Sequence, residues 1–203
     1  MKILSVDFNI VMHNYIKLYA DKVDIKENPT LIWEMLENEM EIKQHLGIDA
    51  KVLKKIVALF KLNHCTHFYF LDNQKDIVND INNLKKEYDE IELTNIDFFH
   101  DLIYTNEDII NWKKDKYDDS NWLGYLLYKD EIDKCQWIKM PNSYRCNNNV
   151  EDDVEIINFS NININDFSDF DIIYFSFSPC YVPYEYKYIY DIICDFLKEE
   201  DDE

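Results

Sequence analysis

The stretch IELTNIDFFHD, from Ile91 to Asp101, reads as a β-strand over Ile91–Phe99 that runs directly into His100 and Asp101. Its β-branched and aromatic side chains suit a pleated, buried surface. Two further stretches repeat the design: KILSV (Lys2–Val6) ends on Asp7, and FDIIYFS (Phe170–Ser176), the most apolar run, leads to Ser178. Strands are also expected at Phe68–Leu71, Gln136–Met140 and Val154–Phe159, the last two separated by a polar, Asn-rich loop from Pro141 to Asp153. Helical periodicity falls between the strands. It covers Thr30–Gln44, a segment through Val52, Ile56, Val57 and Phe60 that Asp49 would cap, Lys75–Tyr88, and Glu185–Leu197. Two shorter helices are expected, one across Ile109, Ile110 and Trp112 capped by Thr105 or Asn106, the other over Trp122–Tyr128 opened by Ser120. Strands alternating with helices predict an α/β chain with a largely parallel sheet covered on both faces. No Pro/Gly-rich linker or internal repeat divides it, so residues 1–203 read as one domain ending in an acidic tail from 198.

The composition narrows the function. At 203 residues and 47% hydrophobic, the chain has enough apolar matter for a core and is not a disordered segment. Forty-one acidic against 21 basic side chains leave a net charge of −20. A field of that sign repels phosphate backbones, which argues against direct nucleic-acid binding, and it draws in cationic partners. The two glycines, Gly47 and Gly124, are too few for a glycine-rich phosphate cradle, so nucleotide-binding enzymes of that kind are excluded. Five cysteines, Cys65, Cys135, Cys146, Cys180 and Cys194, form no CxxC pair and are odd in number, as buried thiols of a reducing compartment would be. With neither a secretory signal nor a membrane-spanning run, the expectation is a cytoplasmic protein without membrane contact.

In open parallel sheets ligands sit beyond the carboxyl ends of the strands, where the strand order switches. The polar residues at strand ends here are Asp7, the group from Asp97 to Asp101, and Ser176 with Ser178. NIDFFHD sets two carboxylates and an imidazole within five residues, a mixture that divalent metals such as Mn²⁺ accept, and Asp7 would add a ligand from a neighbouring strand. The competing reading of the same pattern is chance clustering in an acidic chain.

On KILSVDFN, NPTLIWEMLE, NIDFFHD, NWLGYLLYK and SPCYVPYEYKYIYDII, the chain resembles a bacterial family related to the peptide arginases, within the ureohydrolases. The resemblance implies a three-layer α/β fold and a paired-manganese site that hydrolyses a guanidinium group to an amine and urea. It places Asp97 and Asp101 at the ends of the family's Asp-x-His-x-Asp motif and Asp7 and Asn9 on its opening Asp-x-Asp. Two positions depart from that pattern: Phe99 stands where the ligating His belongs, and Asn9 replaces a carboxylate. The resemblance therefore implies one remaining metal, or His100 as substitute ligand or general base, or a fold without the reaction. It also places Glu185 where it would bind a guanidinium; the other reading of Glu185 is an acid at a helix N-terminus.

Other candidates have simpler explanations. His64 and His67 flank Cys65, but no second cluster completes four ligands. His13 reads as a surface or core histidine, and His45 as a helix-end residue. Cys180 lies in a loop after a strand with no activating base nearby in sequence. Tyr181, Tyr184, Tyr186, Tyr188 and Tyr190 read as amphipathic packing. Two functions follow: a manganese-dependent hydrolase of arginine-containing peptides or small guanidino compounds, or an acidic, non-enzymatic binding protein. The second would occupy the groove of a basic nucleic-acid-binding host protein, as a virus-encoded anti-defence factor would.

Overall fold

The computed structural model describes residues 1–13, 47–63, 67–102, 105–141, 143, 154–179 and 181–201. The helix expected over Thr30–Gln44, with His45, His64 and Cys180, lies outside them. Six strands form one parallel sheet: β1 (Lys2–Asp7), β4 (His67–Leu71), β5 (Glu92–Asp97), β6 (Lys134–Lys139), β7 (Glu155–Asn158) and β8 (Ile172–Ser176). Their order is β4-β8-β1-β5-β6-β7. A two-stranded antiparallel ribbon, β2 (Met12–His13) with β3 (Gly47–Ile48), stands apart.

Alternation along the strands divides the interior into two cores. Leu4, Val6, Ile96, Ile138, Ile173 and Phe175 face one side, where they pack with α1 (Ala50–Leu62) and α5 (Lys187–Asp201). Ile3, Leu93, Cys135, Trp137, Ile172 and Tyr174 face the other, beneath α2 (Ile77–Leu84), α3 (Asn106–Trp112) and α4 (Trp122–Tyr128). The result is a three-layer α/β sandwich. The central strands β1, β5 and β8 dictate it, because their runs are buried on both faces, whereas the edge strands β4 and β7 stay partly exposed.

Local chemistry sets the helix ends. Asp49 caps α1, its carboxylate accepting from the amides of Lys51 and Val52. Thr105 caps α3 in a reciprocal box with Asp108. The expected helix over Lys75–Tyr88 splits into a 3₁₀ turn, Gln74–Asp76, and α2. Asn121, one residue after the expected Ser120, precedes α4. The last helix begins after a 3₁₀ turn over Tyr184–Tyr186 and continues through Asp201, into the stretch expected as tail. Cys135 and Cys194 are buried free thiols that burial pushes up to about 12, so neither is a ready nucleophile. Among the described residues no helix is long and apolar enough to cross a membrane.

The topology singles out one place. From β1 the chain proceeds to α1 on one face and then to β4; from β5 it proceeds to α3 and α4 on the other face and then to β6. Connections leaving β1 and β5 therefore diverge, and a crevice opens at the carboxyl ends of this adjacent pair.

Candidate functional site

Asp7 and Asp97 close β1 and β5, which run parallel with Val6 opposite Ile96. The two carboxyls come from neighbouring positions of adjacent strands and point into the same face, in step with Ile3 and Leu93. Both are buried, as are Asn9, His100 and Asp101. Like charges side by side in a buried sheet are unfavourable, so the carboxyls must be neutralised by protons or by a cation.

The hydrogen bonds show how they are held. Asp7 accepts from the Asn9 amide at 2.8 Å and from the Ser178 hydroxyl. Asp97 accepts from the Asn9 side-chain amide at 2.8 Å and from the Phe99 amide at 3.2 Å. Asp101 accepts from the Trp122 indole at 3.0 Å, and its carbonyl accepts from the Gly124 amide at 2.9 Å. Asp101 and Ser178 both have left-handed backbones, φ 49° and 53°. Non-glycine residues in that region cost on the order of 1–3 kcal/mol each, and they persist where surrounding structure imposes them.

Electrostatics make the tension explicit. Burial first, then the neighbouring charge of Asp97, raises the Asp7 carboxyl well above its usual range. Burial, then the charge of Asp101, does the same for Asp97. Asp101 is pushed up to about 7, chiefly by burial. A cavity of about 10 Å³ opens among Asp7, Asp97, Asp101 and Asp119, with Asn73, Gln74, Ser178 and Tyr181 completing its wall. That volume holds one water or one bare ion. Among the described residues no cationic side chain lines it, and Asp119 of its wall pairs with Lys75 at 2.9 Å.

Behind the cavity runs a polar column. The Gln74 side-chain amide donates to Ser5 and to Asn95, both at 2.7 Å, and these two residues lie opposite each other on β1 and β5. Two buried atoms here have no hydrogen-bond partner, the Asn9 side-chain carbonyl and the Asn95 side-chain amide nitrogen.

Asp7, Asp97 and Asp101 thus come together, with Asn9 tied to two of them. His100 does not join them. Its ring packs edge-on against Trp137 at 5.7 Å, and its Nδ1 accepts from the Leu102 amide. Burial lowers its pKa to about 4, so the ring is neutral near pH 7. Phe99, at the expected imidazole position, stacks on Tyr181 at 4.8 Å. Glu185 is exposed and is not part of the cavity wall. His67 opens β4 and is also exposed.

Gln74, Asn73, Asp119 and Tyr181 were not anticipated. A signal for the first two existed: Asn73 and Gln74 come two and three residues after β4 ends, at the same edge of the sheet as Asp7 at the end of β1. Asp119 comes from the approach to α4 and had no such marker.

A divalent cation suits this donor set in kind. The lining oxygens are carboxyl, amide or hydroxyl, none of the described lining side chains is cationic, and the space is that of one ion. The set is not preassembled. Among the described residues no group of three His, Cys, Asp or Glu side chains stands at coordinating spacing, so an ion would draw the carboxylates from Ser178, Asn9 and Trp122. Compared with family profiles, curated proteins and solved structures, the chain matches none.

Proposed function

We propose that the protein is a metal-dependent hydrolase of guanidino groups, of the ureohydrolase type, that works with one Mn²⁺ held by Asp7, Asp97 and Asp101. The observation that carries this reading is the convergence of three buried carboxyls, with no cationic side chain among the described lining residues, on an ion-sized cavity at the switch point. One ion is proposed rather than two because Phe99 has no donor atom and Asn9 offers a neutral amide. The ion would supply Lewis acidity and lower the pKa of a water beside it.

The chain's own groups have separate tasks. Asp97 and Asp101, both raised chiefly by burial, would give up their protons when the ion binds. Asn9 fixes Asp97 and, through its backbone, Asp7. Asp119 and the acidic surface draw a cationic guanidino substrate, an arginine-containing peptide or a small molecule, to the mouth. A second reading, an acidic binding protein that retains the fold without the reaction, is favoured by His100 lying off the cavity wall.

Metal analysis of protein purified without chelator, with calorimetric titration of Mn²⁺, tests the first reading. One bound equivalent and urea release from arginine-containing peptides are expected, both lost in Asp97→Asn. A chain that takes up no divalent ion removes the hydrolase; one that binds Mn²⁺ but releases no urea leaves the second reading.

A further inference from the structure

The three most exposed large hydrophobic side chains of the described residues lie on one short stretch: Tyr184 at 58%, Tyr188 at 60% and Ile192 at 63%. Each is four residues after the last, so Tyr188 and Ile192 form a ridge along α5 that Tyr184 extends from the preceding 3₁₀ turn. The opposite side of the helix carries its core contacts through Tyr190, Ile193, Cys194 and Leu197. Amphipathic packing therefore explains Tyr190 but leaves Tyr184 and Tyr188 unexplained. At about 200 Å² per large side chain, the ridge leaves on the order of 350 Å² open, within the size of patches that mark interaction sites.

Acids lie beside the ridge. Asp191 and Asp195 flank Tyr188 and Ile192, with side chains 52% and 74% exposed. Lys187 meets Asp191 at 2.7 Å and Lys198 approaches Asp195 at 3.8 Å, exposed pairs in which an incoming guanidinium can compete with lysine for the carboxylate. An exposed tyrosine next to a carboxylate offers a guanidinium both a ring face and an anion. A second copy of a chain with net charge −20 is a poor occupant.

We infer that the outer face of α5, along Tyr184, Tyr188 and Ile192, docks a basic amphipathic helix of a partner protein. A ridge of side chains four residues apart fits between the ridges of another helix. The partner's apolar stripe would cover Tyr188 and Ile192 while its arginines meet Asp191 and Asp195. This surface is separate from the carboxylate cavity and does not depend on its chemistry.

The test uses the full chain and a labelled synthetic helix with leucines on one face and arginines on its flanks, read by fluorescence anisotropy. Binding that weakens as salt rises is expected, at least about tenfold weaker in Tyr188→Ser/Ile192→Ser and in Asp195→Lys. Ile110→Ser, an exposed position on α3, should leave it unchanged. These positions are exposed, so the variants should keep the parent's circular dichroism and melting temperature. The inference is overturned if the Tyr188/Ile192 variant binds as the parent does, or if the same helix with glutamates for arginines binds equally. It is also overturned if sedimentation shows a dimer of this chain that the same variant dissolves.

Discussion

Replacing Asp101 by Asn should stabilise the metal-free protein above neutral pH, although it removes a residue of the proposed cation site. The folded chain holds the Asp101 proton to about pH 7, against an ordinary 3.8, mainly because the carboxyl is buried. With its folded pKa raised, this group contributes stability fully present below pH 3.8 and lost progressively as pH rises to about 7. A gap of about three pH units, at 1.36 kcal/mol per unit, sets a ceiling of about 4 kcal/mol. Asn keeps an acceptor for the Trp122 indole and tolerates the left-handed backbone at φ 49°, and by removing the charge that raises Asp97 it relieves that neighbour as well, which adds to the gain at high pH. His100 works in the opposite sense: its pKa, lowered to about 4, removes stability as pH falls from 6.5. Because both proteins contain His100, the difference between variant and parent isolates Asp101. Chemical denaturation at pH 4 and pH 8, with chelator present, should give near-equal stabilities at the lower pH and a more stable variant at the higher. At a hundredfold excess over its dissociation constant, Mn²⁺ should return about 2.7 kcal/mol to the parent and little to the variant. An Asp101→Asn protein that is no more stable than the parent at pH 8 would falsify the claim that an ionised Asp101 is held at a cost.

Two further perturbations probe the same region. Gly124→Ala would place a Cβ 2.7 Å from the Trp112 ring and 2.9 Å from the Leu102 backbone carbon; since backbone cannot yield as a side-chain tip does, thermal melting should report a loss of about 1–3 kcal/mol. Phe99→His introduces an imidazole beside Tyr181, and calorimetry should find Mn²⁺ binding tighter by about tenfold or more, whereas unchanged affinity would mean that position 99 does not face the ion.

Legibility from sequence followed the range of the interactions involved. The strand end at Asp7 is legible because the apolar run from Lys2 stops there, and the cap at Asp49 because its partners lie two and three residues on. The strand from Ile91 was read two residues too long: the Asp97 carboxyl accepts from the Phe99 amide and turns the chain, which apolarity alone does not show. Gln74 could not be assigned because its partners, Ser5 and Asn95, lie 69 and 21 residues away. His100 was judged by proximity in sequence to Asp101, yet adjacent side chains at a strand exit diverge, and the ring found Trp137 instead.

The polar column beneath the cavity bears on why the acids are there. An apolar layer would suffice to join β1 and β5, yet Ser5, Asn95 and Gln74 occupy its centre, and the orphaned atoms of Asn9 and Asn95 are left where each costs on the order of 1–3 kcal/mol. Left-handed turns at Asp101 and Ser178 add to the same side of the balance. For packing alone, Asn or Leu at positions 7, 97 and 101 would relieve most of this tension, as hydrophobic replacements of buried charges often do. Asn82 and the Trp112 indole are orphaned elsewhere, and Asp115, Asp130 and Asp169 are left-handed too; what sets the strand tips of β1 and β5 apart is that orphaned amides, left-handed turns and three buried carboxyls occur there together.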